Sequence, residues 1–469
     1  MMKKISLIVA LLACAAFGTQ AIEVEDSTHY FRPAYHFTPK SNAMGTPVGL
    51  NYDGEQYRLF YSYNADGLSQ ENYSLACATS SNLIDWKEQG VVFSPGGKGM
   101  NGASCVSDQG GVVSGKSASS QALILAYVLD GEGVHFATSA DGGVSWADLS
   151  SAIELPIDTA DLASDPKLMW HEETKSYVLL LARTPDGDKD AEGISFYTSI
   201  NLKDWTFASH IRGLSGSPDL IQLPVDGAED NKQWVLSDRK GNYMLGSFNG
   251  RSFSAMTSVL DKQAGDFLAP ISYYDSKNKR TIQFGLLSAD RLNGVSYCGV
   301  LSLPMELSLK SNGDSQPIMV KKPVAELSSL DIRQVLKLRN KKLIPGLNDN
   351  PISRLRGVST HIKGEFDLNT ADAFGFLVLN SRRGEGTELL YNVKRDVMSW
   401  AAESFPIVRN GEHVFLEIFV DRSTVEIFVN GGEHVVSTQL EPMIGNDKYV
   451  LSGQGGELIV VSLNAHVLR

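Results

Sequence analysis

From Tyr57 onward the chain alternates short apolar runs with polar turns and has almost no helical periodicity. The runs "YRLFYSY" from Tyr57, "ALILAYVL" from Ala122, "YVLLLAR" from Tyr177, "QWVLSD" from Gln233 and "TIQFGLL" from Thr281 are rich in β-branched and aromatic residues. Bounded by Gly, Asn and Asp, they predict strands. A repeat runs beside them: "ATSSNLIDW" ends at Trp86, "ATSADGGVSW" at Trp146, "YTSINLKDW" at Trp205 and a weaker copy, "LGSFNGRSF", at Phe253. One such unit of short antiparallel strands cannot bury both its faces, so recurrence about every 60 residues implies radial stacking. The chain is therefore expected to be all-β, with a β-propeller of about five blades over residues 29–320. A set of packed β-sandwiches is the alternative. In either case the repeated Trp residues are turn-plus-core elements rather than ligand contacts.

The polar "SNGDSQ" and Lys-rich "VKKPVAELSSLDIRQ" break the pattern, and residues 321–339 are read as a linker. Strand signals return in "STHIKGEFDL", "FGFLVLN" and "FLEIFVDRSTVEIFVNGG", the last a hairpin around Asp421-Arg422-Ser423. A second domain, a β-sandwich, is expected over residues 340–469.

The 469 residues suit two domains, and the formal charge of -12 argues against nucleic acid or an anionic membrane as the partner. Lys3 and Lys4, an apolar run from Ile5 to Phe17 and Thr19-Gln20-Ala21 read as a signal peptide over residues 1–21, so the protein is expected to be exported. A competing option makes Leu11-Leu12-Ala13-Cys14 a lipobox, with Cys14 as a lipid anchor. No other segment has the about 20 apolar residues that span a bilayer. Cys77, Cys105 and Cys298 show no metal-ligand spacing and read as buried thiols, with one disulfide as the alternative. The nine His residues carry no HExxH or paired spacing, so no metal and no cofactor are expected. "SPGGKGMNG" lacks the Gly-Lys-Ser/Thr ending of a phosphate loop.

Over nearly all its mature length the chain resembles glycoside hydrolase family 32, the levanases, inulinases and invertases. The pieces that carry the resemblance include "YHFTPK", "ATSSNLIDWKEQGVVF", "SDPKLMWHEETKSYVLLLA", "PDLIQL", "GDFLAPISYYD" and "EIFVDRSTVEIFVNGGE". The resemblance implies a five-bladed propeller followed by a β-sandwich, and retaining hydrolysis of β-fructosides. That chemistry uses one carboxylate as nucleophile and a second as general acid/base.

Both family positions are substituted here. Against the family's Trp-Met-Asn-Asp-Pro-Asn-Gly the chain has Ala43-Met44-Gly45-Thr46-Pro47-Val48-Gly49, which puts Thr46 at the nucleophile position. A threonine hydroxyl without an adjacent base is a poor nucleophile. Against Glu-Cys-Pro-Asp it has Gly216-Ser217-Pro218-Asp219, and Gly216 cannot deliver a proton. The family's Arg-Asp-Pro appears as Ser164-Asp165-Pro166, its Gln as Ser62, and its Ser-Gly-Ser as Asn101-Gly102-Ala103, while Asp266-Phe267 is retained. The expected function is a catalytically inactive carbohydrate-binding protein that holds a fructan such as levan or inulin, or a related glycan, with Asp165, Asp266 and Asn101 as ligand contacts. One alternative is a hydrolase with relocated carboxylates drawn from Asp161, Asp165, Asp219 and Asp266. The other is a structural or protein-binding propeller.

Overall fold

The computed structural model describes residues 28–468 except 114–120, 130–131, 150–161, 288–291, 314, 346–349, 382–385, 408 and 410. The expected signal peptide, Cys14 and Asp161 lie outside the described residues. Strands dominate, as the period-two pattern predicts, and the single α-helix is the short Thr28–Phe31.

Five antiparallel meanders follow one another in the N-terminal domain. They open with the strands Asn42–Tyr52, Met100–Ser107, Leu162–His171, Asp219–Val225 and Phe267–Asp275. The second strand of each is the apolar run seen in the sequence; Leu123–Leu129, for example, is buried at every position. A strand buried on both faces reads as a continuous apolar stretch because neighbouring meanders cover both sides. The first meander is closed by a parallel contact between Asn42–Ala43 and Tyr297–Cys298, so the end of the domain returns to its beginning. This ring is a β-propeller. The repeated Trp residues play the structural part expected of them. The indole N–H groups of Trp86, Trp146 and Trp205 donate to the carbonyls of Leu83, Gly143 and Leu202 at 3.0, 3.2 and 3.1 Å, each closing a turn over the core.

The linker expected at residues 321–339 is not one. The strand Ser315–Pro323 completes the last meander, Ala325–Leu330 forms a 3-10 turn, and Asp331–Leu343 pairs along its length with the C-terminal strand Leu458–Leu468. The charges that suggested a linker belong to a sheet strand whose side chains mostly face water. The C-terminal domain is a β-sandwich of a seven-stranded and a five-stranded sheet, the larger extended by the propeller segment Gln263–Gly265. Its core holds Phe374, Phe376, Tyr391 and Trp400. A separate cluster, with Phe31, Tyr35, Phe267, Tyr297, Phe419 and Phe428, fuses the two domains.

A buried polar latch reinforces that junction. Asp421, in the predicted hairpin, accepts from the backbone N–H groups of Ala34, Tyr35 and His36 at 2.7, 2.9 and 3.0 Å. The His36 ring lies between Asp421 (Nδ1–Oδ2 2.9 Å) and Glu426 (Nε2–Oε1 3.1 Å), with all three side chains fully buried. Burial alone would lower the pKa of His36, but the two carboxylate hydrogen bonds outweigh it and raise it to about 9. The three cysteines are free and buried, so the disulfide alternative does not hold; burial pushes the Cys77 thiol up to about 11.

Candidate functional site

The opening strands of the five meanders converge on the propeller axis. Thr46, Gly102, Asp165, Ser217 and Ala269, one from each meander or the loop leading into it, line the same small cavity. Close backbone approach is built in. Gly102 has φ +86°, and a Cβ there would lie 3.0 Å from the Asp165 backbone. Asp165 itself sits at φ +51°, where the pairing of Leu162–His171 with Ser176–Thr184 slips between Leu180 and Ala182. An aspartate tolerates this left-handed conformation better than most residues, and the bulge aims its side chain at the axis.

The Asp165 carboxylate is held on both oxygens, accepting from Ser217 Oγ and Ser164 Oγ at 3.0 Å each. Arg239 Nη1 stands 3.8 Å from Asp165 Oδ1. Arg239 is in turn fixed by its backbone, donating to Ser215 O at 3.1 Å and accepting from Ala269 N–H at 2.6 Å. Deeper in, the buried Asp219 carboxylate lies 2.5 Å from the Lys167 ammonium. Each axial carboxylate therefore has a cation of its own.

Both substituted positions have been filled from the side. At Gly216, with φ +64°, a Cβ would lie 3.1 Å from Arg239 Cβ and 3.3 Å from its Cδ, so the arginine stem packs where the family has a glutamate. At Gly45 a Cβ would lie 2.8 Å from the Tyr73 ring, whose hydroxyl donates to Gln70 Oε1. Gln70 donates onward to Cys298 Sγ at 2.9 Å. The cavity that remains is about 30 Å³. That holds a water molecule, not a sugar ring.

Of the residues singled out from the sequence, Thr46 and Asp165 meet at the axis, and Gly216 stands in the loop that brings in Ser217 and Pro218. Asp266 does not join them. Its Oδ2 accepts from Thr438 Oγ1 at 2.6 Å and Gln439 N–H at 2.9 Å, which makes it an anchor between the propeller and the sandwich. Asn101 is exposed, and its neighbours Gly102, Ala103 and Ser104 line the cavity instead, because alternate residues of a strand point to opposite sides. Sequence reasoning missed Arg239 and Tyr73. Their role depends on the empty volume at two glycines distant in the chain, and no local motif signals that.

Comparison with known proteins decides the ancestry. The glycosyl hydrolases family 32 N-terminal domain matches residues 36–323, and the glycosyl hydrolases family 32 C terminal matches residues 326–467. The chain belongs to glycosyl hydrolase family 32. It is 31% identical to a levanase of Bacillus subtilis over 99% of this chain and 74% of that protein. It is 24% identical to an extracellular exo-inulinase of Aspergillus niger over 98% of each. Among solved structures, exo-inulinase from Aspergillus awamori superposes with a TM-score of 0.81 at 22% identity, covering 93% of this chain and 98% of that one. In this member of the family the axial site keeps one exposed-side carboxylate, Asp165, and surrounds it with donors.

A larger cavity of about 500 Å³ lies where the propeller meets the sandwich, lined by Lys240, Lys262, Gln263, Phe267, Glu403 and Phe405 among others. It shares no residue with the axial cavity.

Proposed function

We propose that this chain is an exported, non-hydrolytic member of family 32 that binds a fructan or a closely related glycan at the mouth of the propeller axis. The observation that carries the proposal is the pairing of substitution with filling: Thr46 and Gly216 stand at the family's catalytic positions, and Arg239 occupies the space beside Gly216. Retaining hydrolysis needs two carboxyl groups about 5–5.5 Å apart, one free to attack and one free to protonate. Here Asp165 is held by two hydroxyl donors, and Asp219 is buried against Lys167. Neither is placed to deliver a proton to a leaving group. Binding asks less: Asp165 and Arg239 together offer an acceptor and a planar set of donors to sugar hydroxyls. Relatives named levanase and exo-inulinase set the glycan class to test first.

A second reading places the glycan in the interdomain cavity. Its volume of about 500 Å³ favours this, since ligand sites of about 300–1,000 Å³ are usual. Calorimetric titration with levan, inulin and short fructo-oligosaccharides separates the two. Binding heat that falls at least tenfold in affinity with Asp165→Ala and is unchanged in Phe405→Ala supports the axial mouth. The opposite pattern moves the ligand to the domain junction, and no heat with any of the three sinks the fructan reading.

A further inference from the structure

Four neighbouring strands of the sandwich's larger sheet each contribute one side chain to a cluster that hydrolase ancestry does not explain. In sheet order they are Asp331–Leu343, Leu458–Leu468, Ser359–Asp367 and His413–Asp421. Their residues are Asp331, His466, His361 and Glu417. His361 and His466 are direct partners across the antiparallel ladder, so their rings rise from the same face, with centroids 6.3 Å apart. His361 Nδ1 is 2.9 Å from Asp331 Oδ1, and His466 Nδ1 is 3.6 Å from Asp331 Oδ2. One coordinating atom from each of the three residues falls within 4.8 Å of the others.

We propose that Asp331, His361 and His466 form a binding site for a divalent transition metal of the Zn²⁺ class. Two imidazoles and a carboxylate are a borderline-soft donor set that suits such an ion better than Ca²⁺ or Mg²⁺, which take oxygen. Metal–ligand bonds of about 2.0–2.1 Å give a tetrahedral edge of about 3.4 Å, between the separations seen here. The orientation of the better-buried ligand also fits. With Nδ1 of His361 turned toward the cluster, its other nitrogen, Nε2, meets Glu417 Oε1 at 2.9 Å. A metal-ligating histidine commonly donates its second ring N–H to a carboxylate in this way, which fixes the tautomer and raises its basicity. The His361 ring is further held by stacking on Phe419 at 4.1 Å and 11°. A structural ion pair would account for His361 between two acids. It would not account for His466 Nδ1 aimed at the second oxygen of the same carboxylate.

The ion would tie the first sandwich strand, which leaves the domain junction at Asp331, to the last strand of the chain. The spacing of the ligands hides them: residues 331, 361 and 466 meet only through strand order, which is why the scattered histidines showed no metal signature.

The test is titration of untagged protein with Co²⁺, followed by its visible ligand-field absorption, and then competition by Zn²⁺. The expected result is one ion per chain with the strong band of four-coordinate cobalt, lost in His466→Ala, a half-exposed position where truncation leaves the fold intact. Glu417→Gln should keep the band and weaken affinity about 10–100-fold. No band, or a band of equal affinity in His466→Ala, would overturn the site. Equal affinity in Glu417→Gln would overturn the backing role assigned to that carboxylate.

Discussion

Replacing His36 with Gln should make interdomain stability lose one specific dependence on pH. The imidazolium is enclosed by Asp421 and Glu426, with no exposed surface on any of the three side chains. Breaking a buried pair by removing one partner costs about 3–5 kcal/mol, because the remaining charges are left uncompensated in low dielectric. His36 has its pKa raised from 6.5 to about 9, so its folded form holds a proton that the unfolded chain has released across that window. The stabilisation is fully present below pH 6.5 and is lost as pH rises through about 9. At about 1.4 kcal/mol per pH unit the loss amounts to about 3 kcal/mol. Wild-type stability alone will not isolate this term, since the buried Lys321, pushed down to about 7, titrates in the same range with the opposite sign. The assay is therefore the difference in urea midpoint between wild type and His36→Gln at pH 6, 7.5 and 9.5. The gap should be largest at pH 6 and shrink steadily toward pH 9.5. A gap that is constant with pH, or under about 1 kcal/mol at pH 6, would refute the reasoning.

Three further outcomes are expected. Burial is the main cause of the lowered pKa of Lys321, opposed by Asp238 and Asp261. The unfolded chain then binds more protons than the folded one between about pH 7 and pH 10.5, and this residue makes stability rise with pH there; Lys321→Met should remove that rise and be at least as stable as wild type at pH 6, as denaturant unfolding would report. The double variant Thr46→Asp/Gly216→Glu should release no fructose from inulin while Arg239 is in place. It should also be destabilised by at least about 1–2 kcal/mol, since Gly216 has φ +64°; release of fructose measured chromatographically would contradict the filled-site account. Trp205→Phe removes an indole hydrogen bond to Leu202 and alters the stack on Phe136 at 5.6 Å, so it should cost about 1–3 kcal/mol in thermal unfolding and leave glycan titration unchanged.

The propeller was legible because its signals are local. Period-two runs and a turn motif ending in Trp recur about every 60 residues, and each turn is closed by contacts within four residues, such as Asn82 Oδ1 accepting from Ile84 and Asp85 N–H. The strand at Asp331–Leu343 was misread because it carries Arg333, Lys337, Arg339, Lys341 and Lys342, and exposed strand faces look like linkers when only composition is weighed. Asp421 was legible as a hairpin residue but not as a latch, since its partners, Ala34 to His36, lie almost 400 residues away. Asp266 looked like a ligand contact through its motif alone; the sandwich hydroxyl that claims it, Thr438 Oγ1, belongs to the other domain. At the axis the sequence exposed what was missing at 46 and 216, while what replaced it, Arg239 and Tyr73, is a fact of three-dimensional packing.

The central claim is that the axial site binds without cleaving. The most direct measurement is release of fructose and short oligosaccharides from levan, inulin and sucrose, followed over days at high protein concentration with an active family member in parallel. The account predicts no release above buffer from this chain under conditions where the control digests the substrate fully. Release that survives repurification and disappears in Asp165→Ala would contradict it, and would show that a carboxylate of this pocket still does chemistry.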